Sequence, residues 1–285
     1  MNSFLGRCAF FLLLLAAILQ IRSLYLLHGN RYQDTIKGRD IYVSLKTSKR
    51  KTKARILILG DSVGRQLFPT TQPNPRLHSL ACNQAIGLPG HYALLENFYK
   101  AGNTADTVIL IYHPDSFGNN LDQVYTFHYF VKPLFIPEYR HLWTEDVVAA
   151  VHKIPFYWLA HFPPILTSEW APNYSPSLPK EGGQEAFLSP LSAAYLQKII
   201  DVTAAHGSRF VLIAPPLSER RRTTINSLDT GILDTLGLTP FFSDYFERLT
   251  YIPDAEFADG KHLINPAPWR EQFLNLPVLQ PHAAP

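Results

Sequence analysis

The stretch "ARILILGDSVGRQLF", residues 54–68, decides the fold of this chain. Its apolar first half has the length and β-branched content of a buried strand, and it breaks at Gly60 before a helix-like pattern resumes. A tight turn is one explanation, because glycine tolerates positive φ and Asp61 and Ser62 suit turns and helix N-caps. The other explanation is a strand–turn–helix elbow that presents Ser62 as a nucleophile. Gly-Asp-Ser alone does not distinguish the two, so the rest of the sequence has to.

The composition limits the function classes. The chain has 285 residues, of which 46% are hydrophobic and 17% charged, which suits one globular domain with additional segments. A net charge of +3 is too small to indicate nucleic-acid binding. Cys8 and Cys82 are the only cysteines, so no disulfide framework or cysteine-based metal site is available, and Cys82 is expected to be a small buried hydrophobe. No His, Asp and Glu cluster has metal-ligand spacing, and we expect neither a metal nor a cofactor.

The N-terminal segment predicts a membrane anchor. "CAFFLLLLAAILQI", residues 8–21, follows Arg7, and its apolar character continues to Leu27. No small-residue cleavage site follows, so we interpret residues 1–28 as an uncleaved signal anchor that spans the bilayer when Arg22 snorkels. A cleaved signal peptide and a buried helix of a soluble protein are the alternatives.

Residues 29–53 are predicted to be a polar linker. Its basic end, "KTSKRKTKAR" at 46–55, either contacts anionic lipid or is a solvated tether. The basic residues on this side of the anchor argue against export, whereas the short N-terminal tail and the signal-like core favour it. We expect a protein anchored in a bacterial inner membrane, with its domain on the extracytoplasmic side.

Strands and helices alternate after the linker. The later elements are a weak strand at 76–84, a helix around 92–100, a strong strand at 106–114, a helix at 189–207 and a strand at 209–216. The second helix has Ser189 as its N-cap and Gly207 as its C-terminal stop. This alternation predicts a parallel sheet with right-handed crossovers, and hence a three-layer α/β domain over residues 54–285.

The alternation stops between residues 115 and 188, which are rich in proline and aromatic residues. So long a segment should carry short helices of its own. It leaves from the carboxyl end of a central strand, where open α/β sheets bind ligands. We expect this insertion to form a lid or substrate groove, or an aromatic minicore on the domain, and both roles are compatible.

A second motif lies near the C-terminus, in "FADGKHLIN". Asp259 and His262 are three residues apart, close enough for the carboxylate to orient the imidazole. A serine hydrolase needs a base beside its hydroxyl group and an acidic group that fixes the tautomer of the base. The motif stands where the chain should return to the sheet edge that carries Ser62. We therefore predict that Ser62, His262 and Asp259 form one catalytic group.

These motifs together resemble the SGNH (GDSL-type) hydrolase superfamily. The resemblance runs from Arg55 to Trp269, apart from the 115–188 insertion. It implies a flavodoxin-like fold in which the serine, the histidine and the aspartate named above are the nucleophile, the base and its supporting carboxylate. It also implies that a glycine after the second strand donates its backbone N–H to the oxyanion hole. "NQAIGLPG" offers Gly87 for this role, with Gly90 as the alternative.

One block departs from the family pattern. The family has an asparagine just after the third strand, whereas "YHPDSFGNNLD" has His113, Pro114 and Asp115 there. Asn119 and Asn120 are the candidates that could reach the same place. His113 is either a donor itself or a buried structural histidine. If no asparagine reaches the site, the oxyanion hole is built differently or the chemistry is impaired.

Other interpretations of the motifs are weaker. "GDSVG" also matches the G-x-S-x-G elbow of α/β-hydrolases, but in that fold strands precede the elbow, and here a membrane segment and a linker do. Both phosphate-binding glycine patterns are absent. Arg65 either faces the elbow or lies on the surface, and "SERRRTT" at 218–224 is either an anion-binding loop or a solvated one.

The sequence thus predicts a serine esterase or O-acyltransferase that acts on acyl groups, in particular acetyl, of a cell-envelope carbohydrate. Its expected partners are this acylated substrate, the membrane and other polysaccharide-assembly proteins, and no nucleic acid. The alternative is a catalytically inactive SGNH-like protein that binds glycan or assembles a polysaccharide export system, and the missing asparagine motivates it.

Overall fold

The computed structural model describes residues 2–28, 39–72, 74–83, 86–119, 126, 130, 137–152 and 187–277. In this part of the chain the strands are β1 (Ile56–Gly60), β2 (Leu77–Ser79), β3 (Thr107–Ile111), β4 (Arg209–Ile213), β5 (Leu217–Ser218) and β6 (Tyr251–Ile252). The helices are α1 (Asn2–His28), α2 (Arg39–Ser48), α3 (Ser62–Leu67), α4 (Gly87–Lys100), α5 (Glu145–His152), α6 (Pro190–Ala205), α7 (Arg222–Asn226), α8 (Ile232–Thr235), α9 (Thr239–Glu247) and α10 (Ala267–Leu274). Short 3₁₀ turns occupy Pro114–Gly118, Pro137–Leu142, Glu219–Arg221 and Asp254–Glu256.

Four strands form a parallel sheet in the order β2-β1-β3-β4. Ile58 in β1 lies opposite Ser79 in β2 and Ile109 in β3. Strands β5 and β6 pair separately, also in parallel. The structure confirms the predicted α/β class and its parallel sheet, although β2 is shorter than the sequence indicates.

Alternate residues of the central strands face two different cores. Leu57 and Leu59 of β1 pack into the core that includes α4, α6 and α9, whereas Ile58 packs into the core that includes Leu67 of α3 and Phe273 of α10. A strand buried on both faces reads as a continuous apolar run, as "ILILG" does. The sheet is therefore covered by helices on both faces, which confirms the three layers.

The predicted ends of α6 are also confirmed. The Ser189 hydroxyl oxygen accepts the Ser192 N–H at 3.0 Å, and Pro190 occupies the first helical position. Gly207 follows the helix with φ +69°, a left-handed conformation that glycine adopts without strain.

Helix α2 lies within the segment predicted to be a linker. Ile41, Ser44 and Ser48 recur on one face of the helix and are buried. The Asn97 side-chain amide of α4 donates to the Ser48 hydroxyl at 3.2 Å. The linker prediction is therefore wrong for residues 39–48, which belong to the domain.

The described apolar side chains of helix α1, in residues 4–18, are exposed to solvent. From Phe4 to Ile18 the large hydrophobic residues are 42% to 71% exposed. None of the helices in the described ranges is long and apolar enough to cross a membrane. The predicted membrane helix is thus not supported by the structure.

The described part of the 115–188 insertion packs as core. Phe117, Phe130, Trp143 and Phe187 are all buried and belong to the same cluster as α4 and α6. The Trp143 ring lies 6.2 Å from the Tyr195 ring of α6, between centroids. In these residues the insertion is an aromatic minicore.

Buried histidines make the fold sensitive to acid. His91 of α4 is fully buried, and neither ring nitrogen has a hydrogen-bond partner in the described part of the chain. Burial penalises the imidazolium and lowers the pKa of His91 to about 3. The unfolded chain binds a proton at this residue below its ordinary pKa of 6.5, and the folded chain does not. Stability is therefore full above pH 6.5 and falls as the pH drops below it.

We predict that His91 alone costs about 2 kcal/mol of unfolding free energy between pH 8 and pH 5. His91→Leu should remove that share of the pH dependence, as measured by urea denaturation at both pH values. His152→Gln, at an exposed position, is the control and should leave the dependence unchanged. An unaltered pH dependence in His91→Leu would contradict this account.

Candidate active site

The elbow after β1 depends on glycine for space. A Cβ atom at Gly60 would lie 2.6 Å from the Ile111 carbonyl oxygen, and one at Gly64 would lie 3.0 Å from the same atom. Neither glycine has a positive φ. The two glycines therefore let the end of β3 approach α3 closely, and positive φ is not the reason for them.

The carboxylate of Asp61 fixes the elbow. One oxygen accepts the backbone N–H groups of Val63 and Gly64, at 3.0 and 3.3 Å. The other accepts the His113 backbone N–H at 2.8 Å and the Ser116 hydroxyl at 2.9 Å. Asp61 is fully buried, and these four hydrogen bonds compensate its desolvation. It joins the N-terminus of α3 to the turn after β3.

Ser62, His262 and Asp259 form one chain of hydrogen bonds. The Ser62 hydroxyl lies 2.9 Å from His262 Nε2, and His262 Nδ1 lies 2.6 Å from Asp259 Oδ2. A carboxylate only accepts hydrogen bonds, so Nδ1 carries the proton and Nε2 is left to accept from the serine. The geometry thus brings together all three residues that the sequence assigns to catalysis, in the order that nucleophilic catalysis requires.

Asp259 is held as a charged acceptor. Its Oδ1 accepts the backbone N–H of His262 at 2.8 Å and that of Lys261 at 3.0 Å. These backbone bonds, above all that from His262, and the imidazole N–H bond lower the pKa of Asp259 well below its ordinary value. The carboxylate therefore stays ionised and keeps His262 in one orientation.

Gln66 connects α3, the helix that carries Ser62, to the loop that carries His262. Its side-chain amide donates to the Leu263 carbonyl at 2.6 Å and accepts the Leu263 N–H at 2.9 Å. Ser62 and Gln66 are four residues apart on one helix and face the same way. This two-bond clamp places His262 beside Ser62, and the sequence interpretation missed it because a lone glutamine carries no motif.

Ser62 and His262 open into a cleft of about 470 Å³. Its walls are mostly polar, and they are formed by Asp40, Val43, Ser62, Arg65, Gln66, Pro69, Thr70, Thr71, Asn83 and His262. The guanidinium of Arg65 forms an ion pair with Asp40 of α2 across this cleft. The structure therefore supports the interpretation in which the Arg65 side chain faces the elbow.

The two described residues proposed for the oxyanion hole, Gly87 and Asn119, do not line the cleft. Gly87 opens α4 with φ +56°, is buried, and is not among the described residues that line the cleft. The Asn119 carbonyl accepts the hydroxyls of Ser189 and Ser192 at 2.7 and 3.0 Å, which ties this residue to the start of α6. Asn120 lies outside the described residues. The roles of Gly87, Asn119 and Asn120 in an oxyanion hole stay predictions.

His113 occupies the position where the family has its asparagine. It is buried, and its Nδ1 accepts the Asp115 backbone N–H at 3.2 Å. Burial is the largest influence on this imidazole and lowers the pKa of His113 to about 4, so the ring is neutral near pH 7. These contacts describe a structural histidine that shapes the turn after β3.

The arginine-rich loop is mostly paired. Arg221 and Lys261 both form ion pairs with Asp115, and the Lys261 ammonium lies 2.9 Å from its carboxylate. The Arg222 guanidinium binds Glu219 at 2.8 Å. Arg220 packs against Gly260 of the histidine loop. The loop supports the Asp259–His262 segment from the side.

Two further features of the site were not predicted. Asp40 and Asn83 line the cleft. Asp40 comes from a segment predicted to be a linker, and Asn83 comes from the segment that follows β2.

In the described ranges, no three His, Cys, Asp or Glu side chains gather in a way that could hold a metal ion. The expected lack of a metal or cofactor stays a prediction.

Comparison with known proteins adds little. No protein-family model matches this chain, and no curated protein matches it. It is similar to a solved structure described as "a putative platelet activating factor from Streptococcus pneumonia", with a TM-score of 0.36 and 12% sequence identity. The match covers 87% of this chain and 96% of the other. A likeness at this level carries no argument, so the function has to be argued from the site.

We predict that a fluorophosphonate probe labels this protein at Ser62, because the His262 imidazole can remove the proton of the attacking hydroxyl. Ser62→Ala should abolish labelling, and His262→Ala should slow it strongly, as peptide mass spectrometry would show. Ser227→Ala, at an exposed serine, is the matched control. Labelling that persists in Ser62→Ala would remove Ser62 as the nucleophile.

Proposed function

We propose that the chain is an SGNH-type serine esterase or O-acyltransferase that acts on acyl groups, in particular acetyl, of a cell-envelope carbohydrate. The observation that carries the proposal is the hydrogen-bonded series from the Ser62 hydroxyl through His262 to Asp259. The flavodoxin-like strand order and the Gly-Asp-Ser and Asp-x-x-His motifs support the SGNH assignment.

The proposed reaction begins with attack of Ser62 on the ester carbonyl. His262 Nε2 takes the hydroxyl proton as the Ser62 oxygen–carbon bond forms, and the carbonyl π electrons move to oxygen. His262 then returns the proton to the leaving alcohol as the ester bond breaks. Water or a sugar hydroxyl accepts the acyl group from Ser62 in the second half-reaction, with His262 again as base. Asp259 stabilises the imidazolium in both halves.

The cleft suits a hydroxylated leaving group. The polar side chains of its walls, which include Thr70, Thr71 and the Asp40–Arg65 pair, offer hydrogen bonds to such a group. Carboxylate, guanidinium and hydroxyl groups are suited to sugar hydroxyls. This lining supports the carbohydrate ester as the substrate class.

A specific observation favours the non-catalytic alternative. Asn119 is not among the described residues that line the cleft, and His113 stands in the place of the family's asparagine. An SGNH-like domain without a complete oxyanion hole would serve as a glycan-binding or assembly component of a polysaccharide export system. In that case purified protein would bind acetylated glycan without turnover of 4-nitrophenyl acetate.

For the enzyme, we predict that Ser62→Ala and His262→Ala lower kcat/KM for 4-nitrophenyl acetate to the same extent. The double variant should lose little more, because residues that act as a unit are not additive. Asp259→Asn removes the acceptor that fixes the imidazole tautomer, and should cost roughly 10- to 1,000-fold, below the ~10⁴ known for the corresponding change in a serine protease.

Initial rates of the unaltered protein and of Ser62→Ala, His262→Ala, their double variant and Asp259→Asn decide between the enzyme and the non-catalytic glycan-binding protein. Losses that multiply in the double variant would mean that Ser62 and His262 do not share one site. Ser227→Ala serves again as the control and should match the unaltered protein.

Membrane attachment is part of the same proposal. The large apolar side chains between Phe4 and Ile18 are exposed, and contact with lipid would remove this surface from water. The extracytoplasmic side of a bacterial inner membrane remains our predicted location.

We predict that deletion of residues 1–28 moves the protein from the membrane fraction to the soluble fraction, because it removes this apolar surface. Cell fractionation followed by immunoblotting measures the change. Full-length protein in the soluble fraction would contradict attachment, and a mature N-terminus near Tyr25 would identify a cleaved signal. A reporter fused after Pro285 identifies the side of the membrane.

A further inference from the structure

The structure assigns a further catalytic residue to this site: we infer that the side-chain amide of Asn83 donates a hydrogen bond to the oxyanion. The inference rests on the proposed function, and it replaces the asparagine expected after β3 with one that follows β2. Asn83 lines the cleft that contains Ser62 and His262.

The sheet register places Asn83 beside the nucleophile. The Leu80 N–H donates to the Ile58 carbonyl at 2.7 Å, and the Cys82 N–H donates to the Gly60 carbonyl at 2.9 Å. The backbone that follows β2, from Leu80 to Cys82, therefore runs alongside β1 up to the elbow. Asn83 is the next residue, level with the turn in which Ser62 begins α3.

The backbone that leads to Asn83 is held from two sides. The Ala81 carbonyl accepts the Thr70 hydroxyl at 2.8 Å and the Ser44 hydroxyl of α2 at 3.4 Å. Ala81 and Cys82 are themselves fully buried. A donor on such a segment is preorganised, and it needs no rearrangement when charge develops on the substrate oxygen.

An oxyanion hole gains from a side-chain amide donor, and the position after β3 holds His113 where the family has asparagine. The carboxylate of Asp61 binds the N–H groups of Val63 and Gly64, and this cap does not use the N–H of Ser62. We infer that the Ser62 N–H and the Asn83 side-chain amide are the two donors to the oxyanion. As the Ser62 oxygen bonds to the carbonyl carbon, the π pair moves to oxygen, and both donors stabilise that charge without transferring a proton.

The test compares Asn83→Ala and Asn83→Asp with Ser227→Ala, an exposed change outside the cleft. Loss of an oxyanion donor costs roughly 10²–10³-fold in kcat and leaves KM nearly unchanged. We expect this split for both Asn83 variants with 4-nitrophenyl acetate, and near-normal kcat for Ser227→Ala. Asn83→Asp keeps the side-chain shape, so it separates the lost donor from a packing defect.

A second readout is binding of phenylboronic acid, which forms a tetrahedral adduct with an active serine. Its affinity should fall in Asn83→Ala in parallel with kcat, because the adduct places an oxygen in the same hole. Unaltered protein that hydrolyses the ester, together with Asn83 variants whose kcat stays within about threefold, would overturn this inference alone. Unaltered protein without esterase activity would overturn the proposed function instead.

Discussion

The carboxylate of Asp61 holds the two halves of the site in place. It is fully buried, and it accepts hydrogen bonds from two N–H groups of α3 and from the backbone of His113 and the hydroxyl of Ser116. A buried charge with fewer partners would cost several kcal/mol, so this carboxylate strongly favours one arrangement of the elbow and the turn after β3. The direction of α3, and with it the position of Ser62, follows from this single residue.

Helix α3 then carries the geometry to the other end of the chain. Ser62 carries the hydroxyl that contacts His262, and Gln66 binds both backbone groups of Leu263, next to His262. The serine and the histidine are 200 positions apart, so closing this contact costs chain entropy that the packed sheet must offset. The Arg270 side chain of α10 adds a further bond to the Leu67 carbonyl at 2.5 Å, which holds the C-terminal segment against the same helix.

The sequence was sufficient for the features that depend on local pattern. The apolar runs of β1, β3 and β4, the N-cap Ser189 and the Asp-x-x-His spacing each carry their own physical signal, and the structure has all of them. Features that depend on distant contacts were not readable. The basic composition around residues 46–55 concealed the amphipathic pattern of α2, and neither Gln66 nor Asn83 belongs to a motif. Aromatic residues in the insertion indicated a surface or a core equally well, and burial of Trp143 depends on its contact with α6.

The packing of α2 against the domain also limits the distance between the cleft and the end of α1. Asp40 and Val43 of this helix form one wall of the cleft, and only ten positions, 29–38, separate α2 from the end of α1. A chain of that length reaches at most about 35 Å. The Asp40 wall of the cleft therefore lies within about that distance of the end of α1. A surface that bound this end of α1 would raise the effective concentration, at the cleft, of substrates attached to the same surface. Substrates in bulk solution would gain nothing from such a tether.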